Sequence, residues 1–232
     1  MKLAFCGDSY CAEYENDPYP SYPYLVAKEF NAEILCHGWG ADCLFHSYEI
    51  MLDNIEEADY IIFCVTHSFR LANRYRIPIT PQPEMSSMGW ILENIPSKIF
   101  NKKRIAKKFE TFVRIYYEEI MLMEYHDVTQ RGLLREIDAV IKEYNKKCIF
   151  FKCFSPTFSQ YTFENAVWGN LVLYDDISLA EGKNLMTIND SRLNHMNEQN
   201  NKNMANFLID VIKKDDFIPR EIKMDKYFNE KV

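Results

Sequence analysis

Short uninterrupted apolar runs alternate along the chain with stretches in which apolar residues recur every three or four positions. Lys2 to Cys6, Glu33 to Cys36, Tyr60 to Val65 and Cys148 to Cys153 are of the first kind. A strand covered on both faces reads this way, because neither face has to meet water. Leu171 to Tyr174 and Leu185 to Ile188 are weaker candidates of the same kind. The second kind predicts a helix over Tyr22 to Phe30, behind a lead-in containing Pro18, Pro20 and Pro23, and another over Asp42 to Ile55. Phe109, Phe112, Val113, Tyr116 and Ile120 share a helical face, as do Leu133, Leu134, Ile137, Val140, Ile141 and Tyr144. Met204, Phe207, Leu208, Val211 and Ile212 form a last amphipathic stripe,.

Strands alternating with helices imply right-handed βαβ crossovers. The fold class is therefore α/β: a three-layer α/β/α sandwich around a flavodoxin-like parallel sheet of about five strands. A single domain is expected over residues 1–214, followed by a polar surface tail at 215–232. The pattern breaks between Arg74 and Pro96, where Pro78, Pro81, Pro83, Gly89 and Pro96 are interleaved with Met85, Met88 and Trp90. So long a connection reads as an insertion, at about 74–100, over the carboxyl ends of the strands. Its apolar residues would line a substrate cleft or contact a second subunit.

Composition narrows the function classes. Hydrophobic residues make up 47% of the 232, enough for a full core, so disorder is excluded,. A net charge of −7 argues against a nucleic-acid partner,. The basic run Lys98, Lys102, Lys103, Arg104, Lys107 and Lys108 reads as a solvated helix start. No run approaches the ~20 apolar residues of a membrane span, and Asp8 interrupts the first apolar run too early for a secretory signal. A cytoplasmic protein without a membrane partner is expected. Of seven cysteines, Cys6, Cys36, Cys64, Cys148 and Cys153 lie in or beside strand-like runs, as reduced buried thiols do,. No C-x-x-C occurs and the histidines are dispersed, so no metal is expected. The richness in Lys, Asn, Ile and Tyr suits an AT-rich genome such as a phage's.

Candidate chemistry gathers at the strand ends. The first run closes on Gly7-Asp8-Ser9, which exposes a hydroxyl at the carboxyl edge of the sheet or simply makes a turn with a helix cap. After the second run comes His37-Gly38-Trp39-Gly40-Ala41-Asp42, whose glycines would let a backbone N–H approach a reacting oxygen. After the third comes Thr66-His67-Ser68. Near the far end, Asn194-His195-Met196-Asn197-Glu198 sets an imidazole immediately before the last helix, where it can serve a serine as base.

These blocks resemble the SGNH hydrolases, also called GDSL-type esterases, from Gly7 to about Ile212. The resemblance implies that Ser9 is the nucleophile, that the N–H groups of Ser9 and Gly40 bind the oxyanion, and that His195 is the general base. Two positions depart from the pattern. The family's oxyanion asparagine has no counterpart before Asn73, so His67 or Ser68 would donate instead. Three positions before His195 stands Arg192 rather than an aspartate. Asp190 lies five before and would orient the ring only if the loop bulges; Asp175 and Asp176 are alternative carboxylates.

Asp8, Tyr10, Trp39 and Phe69, with Trp90, are expected to border the substrate. His37 is expected in an ordinary polar contact, and His46 and His126 at a surface or interface. The expected activity is hydrolysis of a short acyl ester, such as an acetyl on a sugar or other small alcohol, through a Ser-His dyad or triad without a cofactor. The expected partners are that small-molecule or glycan ester and, in a homo-oligomer, further copies of the chain. A decayed binding or assembly module on the same fold, and an acyltransferase using the same residues, are the alternatives.

Overall fold

The computed structural model describes residues 1–13, 19–40, 42–72, 79, 102–153, 161–170, 196 and 198–228. Six strands, β1 (Lys2–Cys6), β2 (Glu33–Cys36), β3 (Tyr60–Val65), β4 (Lys147–Lys152), β5 (Val167–Asn170) and β6 (Arg220–Glu221), form one sheet in the order β2-β1-β3-β4-β5-β6. Every pairing is parallel. This is the α/β architecture expected, with one strand more.

Side chains alternate between the two faces of the sheet, and each face has its own core. Tyr60, Ile62 and Cys64 of β3 join one cluster with Val26, Phe207, Leu208 and Val211. Ile61, Phe63 and Val65 join the other with Leu44, Met51, Leu134, Ile137 and Ile141. Thus α1 (Tyr22–Phe30) and α5 (Glu198–Lys214) cover one face. The other is covered by α2 (Leu44–Asn54) and α4 (Met123–Glu143). Between α2 and α4 lie α3 (Lys102–Ile115) and one π-helical turn, Tyr116–Ile120.

Local chemistry sets the ends of α1. Pro23 in its first turn fixes φ where the N–H would go unused,. Asn31 closes it in the left-handed conformation at φ 46°,. Tyr22 N–H donates to Asn201 Oδ1 at 2.9 Å, locking the start of α1 to α5.

The end of the chain differs from the expected surface tail. Arg220–Glu221 pairs with β5, and Met224 is buried, with Tyr227 and Phe228 packed against the first core cluster. The short helix α6 (Asp225–Phe228) follows. Strand β5 was missed because Gly169 and Asn170 break the apolar run,. The weaker strand candidates at Leu171 to Tyr174 and Leu185 to Ile188 lie outside the described residues, as does most of the insertion at 74–100.

Candidate active site

Strand order brings the site together. With β1 between β2 and β3, the loops after these three strands meet at one edge of the sheet, where doubly wound folds bind ligands,. The turn after β1 depends on two glycines. Gly7 has φ 154°, and a Cβ there would lie 2.7 Å from Cys64 Cβ. A Cβ on Gly38 would lie 2.6 Å from Asp8 O and 2.7 Å from Gly7 O. The absent side chains let two backbones touch: Trp39 N–H donates to Gly7 O at 3.1 Å and Gly38 N–H to Cys11 O at 3.1 Å. Cys11 N–H donates to Asp8 O at 2.9 Å and closes the turn. Ser9 stands half-buried at its apex.

Asp8, expected among the substrate-contacting residues, is instead fully buried. One carboxylate oxygen accepts the Tyr10 N–H at 3.1 Å, and the other is paired with the Arg70 guanidinium. The same Arg70 nitrogen donates to Asp42 O at 3.0 Å. Arg70 therefore stitches the Ser9 turn to the loop that carries Gly40. Its role was not anticipated, although a carboxylate placed against a strand end has to find a cation or donors.

The loop after β3 is held from above by the helical arm. Tyr117 donates its hydroxyl proton to Phe69 O, and burial pushes its pKa up. His126 donates from Nε2 to Ser68 O. His126 and His46, expected at a surface or interface, are both buried within the chain. Phe69 stacks on the His126 ring at 6.3 Å. Ser68 is buried, whereas His67 is half-buried and accepts the Phe69 N–H on Nδ1 at 3.2 Å. That acceptor role puts the proton of a neutral ring on Nε2. Burial lowers the His67 pKa, with the Arg70 charge adding to the effect, so the ring is neutral at pH 7.

Near the Ser9 turn, Trp39 is 58% exposed, Tyr10 only 7%, and Gly40 and Phe69 are half-buried. His37 pairs with Glu13 at 3.1 Å. Behind Gly40, His46 Nδ1 lies 2.7 Å from Asp42 Oδ1, and this bond raises the His46 pKa to about 10.

Asp42, Cys43 and His46 bring three donor atoms within 4.8 Å of one another, a spacing a metal ion could bridge. The site lies at the amino end of α2 with Arg70 against Asp42 O. The positive end of α2 and the Arg70 guanidinium there disfavour a cation,.

His195, Asp190, Arg192, Asp175, Asp176 and Trp90 lie outside the described residues. Met196 is buried in the same core cluster as Tyr10 and Cys11. Its carbonyl accepts the Tyr19 hydroxyl at 2.7 Å and Asn201 Nδ2 at 2.9 Å.

Neither a protein-family model nor a curated protein matches the sequence. Solved structures do match it. The psychrotrophic esterase EstA from Pseudoalteromonas sp., in a crystal structure inhibited by monoethylphosphonate, superposes with a TM-score of 0.51 at 12% identity. The match covers 92% of this chain and 97% of that one. A structure from Desulfitobacterium hafniense DCB-2, assigned to the G-D-S-L lipolytic family, matches with a TM-score of 0.44 at 12% identity, over 90% of this chain and 98% of that one. Likeness at such low identity speaks to architecture alone: the protein shares its α/β fold with the esterase EstA.

Proposed function

We propose that the protein is a serine esterase of the SGNH type that removes a short acyl group, such as acetyl, from a sugar or other small alcohol. The observation that carries this reading is the position of Ser9. It stands at the apex of a glycine-dependent turn, on the sheet edge where three loops converge, in an architecture shared with an esterase inhibited by a phosphonate.

Ser9 Oγ attacks the acyl carbon while His195 takes its proton, and the acyl–oxygen bond to the alcohol breaks as that proton passes to the leaving oxygen. Water, deprotonated by His195, then attacks the acyl-serine and restores the free hydroxyl. The negative oxygen formed in each half is met by the N–H groups of Ser9 and Gly40 and by His67 Nε2–H. His67 suits the third place better than Ser68 because its ring is neutral and protonated on Nε2, whereas Ser68 is buried. Asp190 orients the His195 imidazole. Support for His195 comes from its neighbour Met196, which is bonded to Tyr19 and Asn201 beside the start of α1. Trp39 offers an exposed aromatic face to a sugar ring, and the half-buried Phe69 on the loop after β3 is a second aromatic contact,.

The test is covalent labelling. A fluorophosphonate is expected to add one phosphonyl group to the wild-type chain, on the peptide containing Ser9, and none to Ser9→Ala. An unlabelled wild type would leave an SGNH fold without a nucleophile, which is the decayed binding module. Product analysis with added alcohols then separates a hydrolase, which releases free acid, from an acyltransferase, which forms the new ester.

A further inference from the structure

Among the described residues, the arm formed by α3, the π turn and the start of α4 carries a run of exposed large apolar side chains. Phe112 is 58% exposed, Ile115 43%, Ile120 60%, Leu122 64%, Tyr125 71% and Val128 59%. Among the α3 side chains that the structure describes, 104 and 107–115, Val113 alone is buried. So many large apolar groups on one corner mark a contact face.

The order of charges along that face indicates what covers it. Lys108, Phe112 and Ile115 recur at intervals of four and three along α3, Glu119 follows about one turn later in the π turn, and all four are exposed,. From the amino end the stripe runs cation, aromatic ring, branched aliphatic, anion. Turned end for end, it is complementary to itself. A two-fold axis midway between Phe112 and Ile115 sets Lys108 opposite the partner's Glu119 and Phe112 opposite the partner's Ile115, and both pairs occur twice, as a self-paired interface requires. Among the described residues neither Lys108 nor Glu119 has an ion-pair partner within the protomer. From Lys102 to Ile120 the helix is about 28 Å long, sufficient for several interlocking turns.

An anionic membrane surface is the rival occupant, since Arg104, Lys107, Lys108 and Arg114 make α3 basic. It fits only half of the face. Glu118 and Glu119 lie in the next turn and Glu124 begins α4, where an anionic surface would repel them. A second copy satisfies both halves.

We propose that the protein is a homodimer in which α3 packs antiparallel against α3 of a second copy, through the stripe Lys108, Phe112, Ile115 and Glu119. The same arm grips the loop after β3 through Tyr117 and His126, so the contact braces one wall of the candidate active site. The proposal is independent of the esterase reading.

Sedimentation velocity on the full chain tests it. Wild type is expected to sediment as a dimer at micromolar concentration. Lys108→Glu and Glu119→Lys are each expected to weaken the dimer about tenfold or more, because each puts two like-charged contacts where opposite charges stood. The double variant restores opposite charges at both ends and is expected to recover dimerisation to within a few-fold of wild type. Both substitutions are on exposed side chains, and unchanged near-ultraviolet circular dichroism of all three variants verifies folding. A wild type that stays monomeric at roughly 100 µM overturns the proposal, as does a double variant no better than the singles. Pelleting of a monomeric wild type with phosphatidylserine vesicles would also overturn it, and would assign the face to a lipid surface.

Discussion

The guanidinium of Arg70 holds the carboxylate of Asp8 inside the protein, one residue before the candidate nucleophile. Asp8 is fully buried and the Arg70 side chain is 13% exposed. Their pairing joins the turn after β1 to the loop after β3, and the bond from Arg70 to Asp42 O adds the loop after β2. Removing one partner strands a charge away from water. Arg70→Ala is therefore expected to lower the free energy of unfolding by about 3–5 kcal/mol, read from urea denaturation. It is also expected to slow ester turnover, because the Ser9 turn loses its anchor. A loss below about 1 kcal/mol, the level of a surface pair, would show that the ion pair does not hold the turn.

Ser9→Ala separates chemistry from folding. The side chain is half-buried and small, so the thermal midpoint is expected to stay within about 1–2 °C of wild type, as for a substitution costing under ~0.5 kcal/mol,. Hydrolysis of a small aryl acetate is expected to fall by about 10³-fold or more. Substantial retained turnover would remove Ser9 from the mechanism.

Gly7 is expected to tolerate no side chain. Its φ of 154° disfavours any Cβ, and that Cβ would meet Cys64 Cβ at 2.7 Å and Cys11 Sγ at 3.1 Å. Gly7→Ala should cost about 1–3 kcal/mol from backbone strain alone. It should also shift the serine hydroxyl, reducing kcat more than it raises KM. A variant as stable and active as wild type would mean that the turn adapts and that its geometry is not required.

The pair of His46 with Asp42 makes a signed pH prediction. The histidine pKa rises from an ordinary 6.5 to about 10 in the folded protein, chiefly through the hydrogen bond that its ring N–H donates to Asp42. Because the folded value is the higher, the native state holds the extra proton and gains from it. That gain is complete below pH 6.5 and is lost as pH climbs through about 10,. The unfolding free energy of wild type minus that of His46→Gln is expected to decline steadily over this window, as denaturant titrations at several pH values would measure. A difference flat with pH would mean that His46 is neutral in the native state.

Much of the architecture was legible without coordinates. The four strongest apolar runs became β1 to β4 almost residue for residue, since strands buried on both faces leave little ambiguity,. The sixth strand was not legible. Arg220–Glu221 is too short and too polar to announce itself, and it pairs because the apolar side chains of Ile222, Met224 and Tyr227 pull the chain end onto the sheet. The histidines show the same limit. His46 and His126 look like surface residues by spacing, yet both are buried because their ring nitrogens find Asp42 and the Ser68 carbonyl.

At the candidate site, sequence alone determined the serine turn at the end of the first strand and the glycine-containing loop after the second. Both are local signals, written in consecutive residues and in the conformational freedom of glycine. Only the tertiary structure decided that Asp8 faces inward to Arg70, 62 positions away, rather than outward to a substrate. Which charge meets which is settled by chain crossings that bring β1 between β2 and β3, and a pairing across that distance leaves no periodic trace in the sequence.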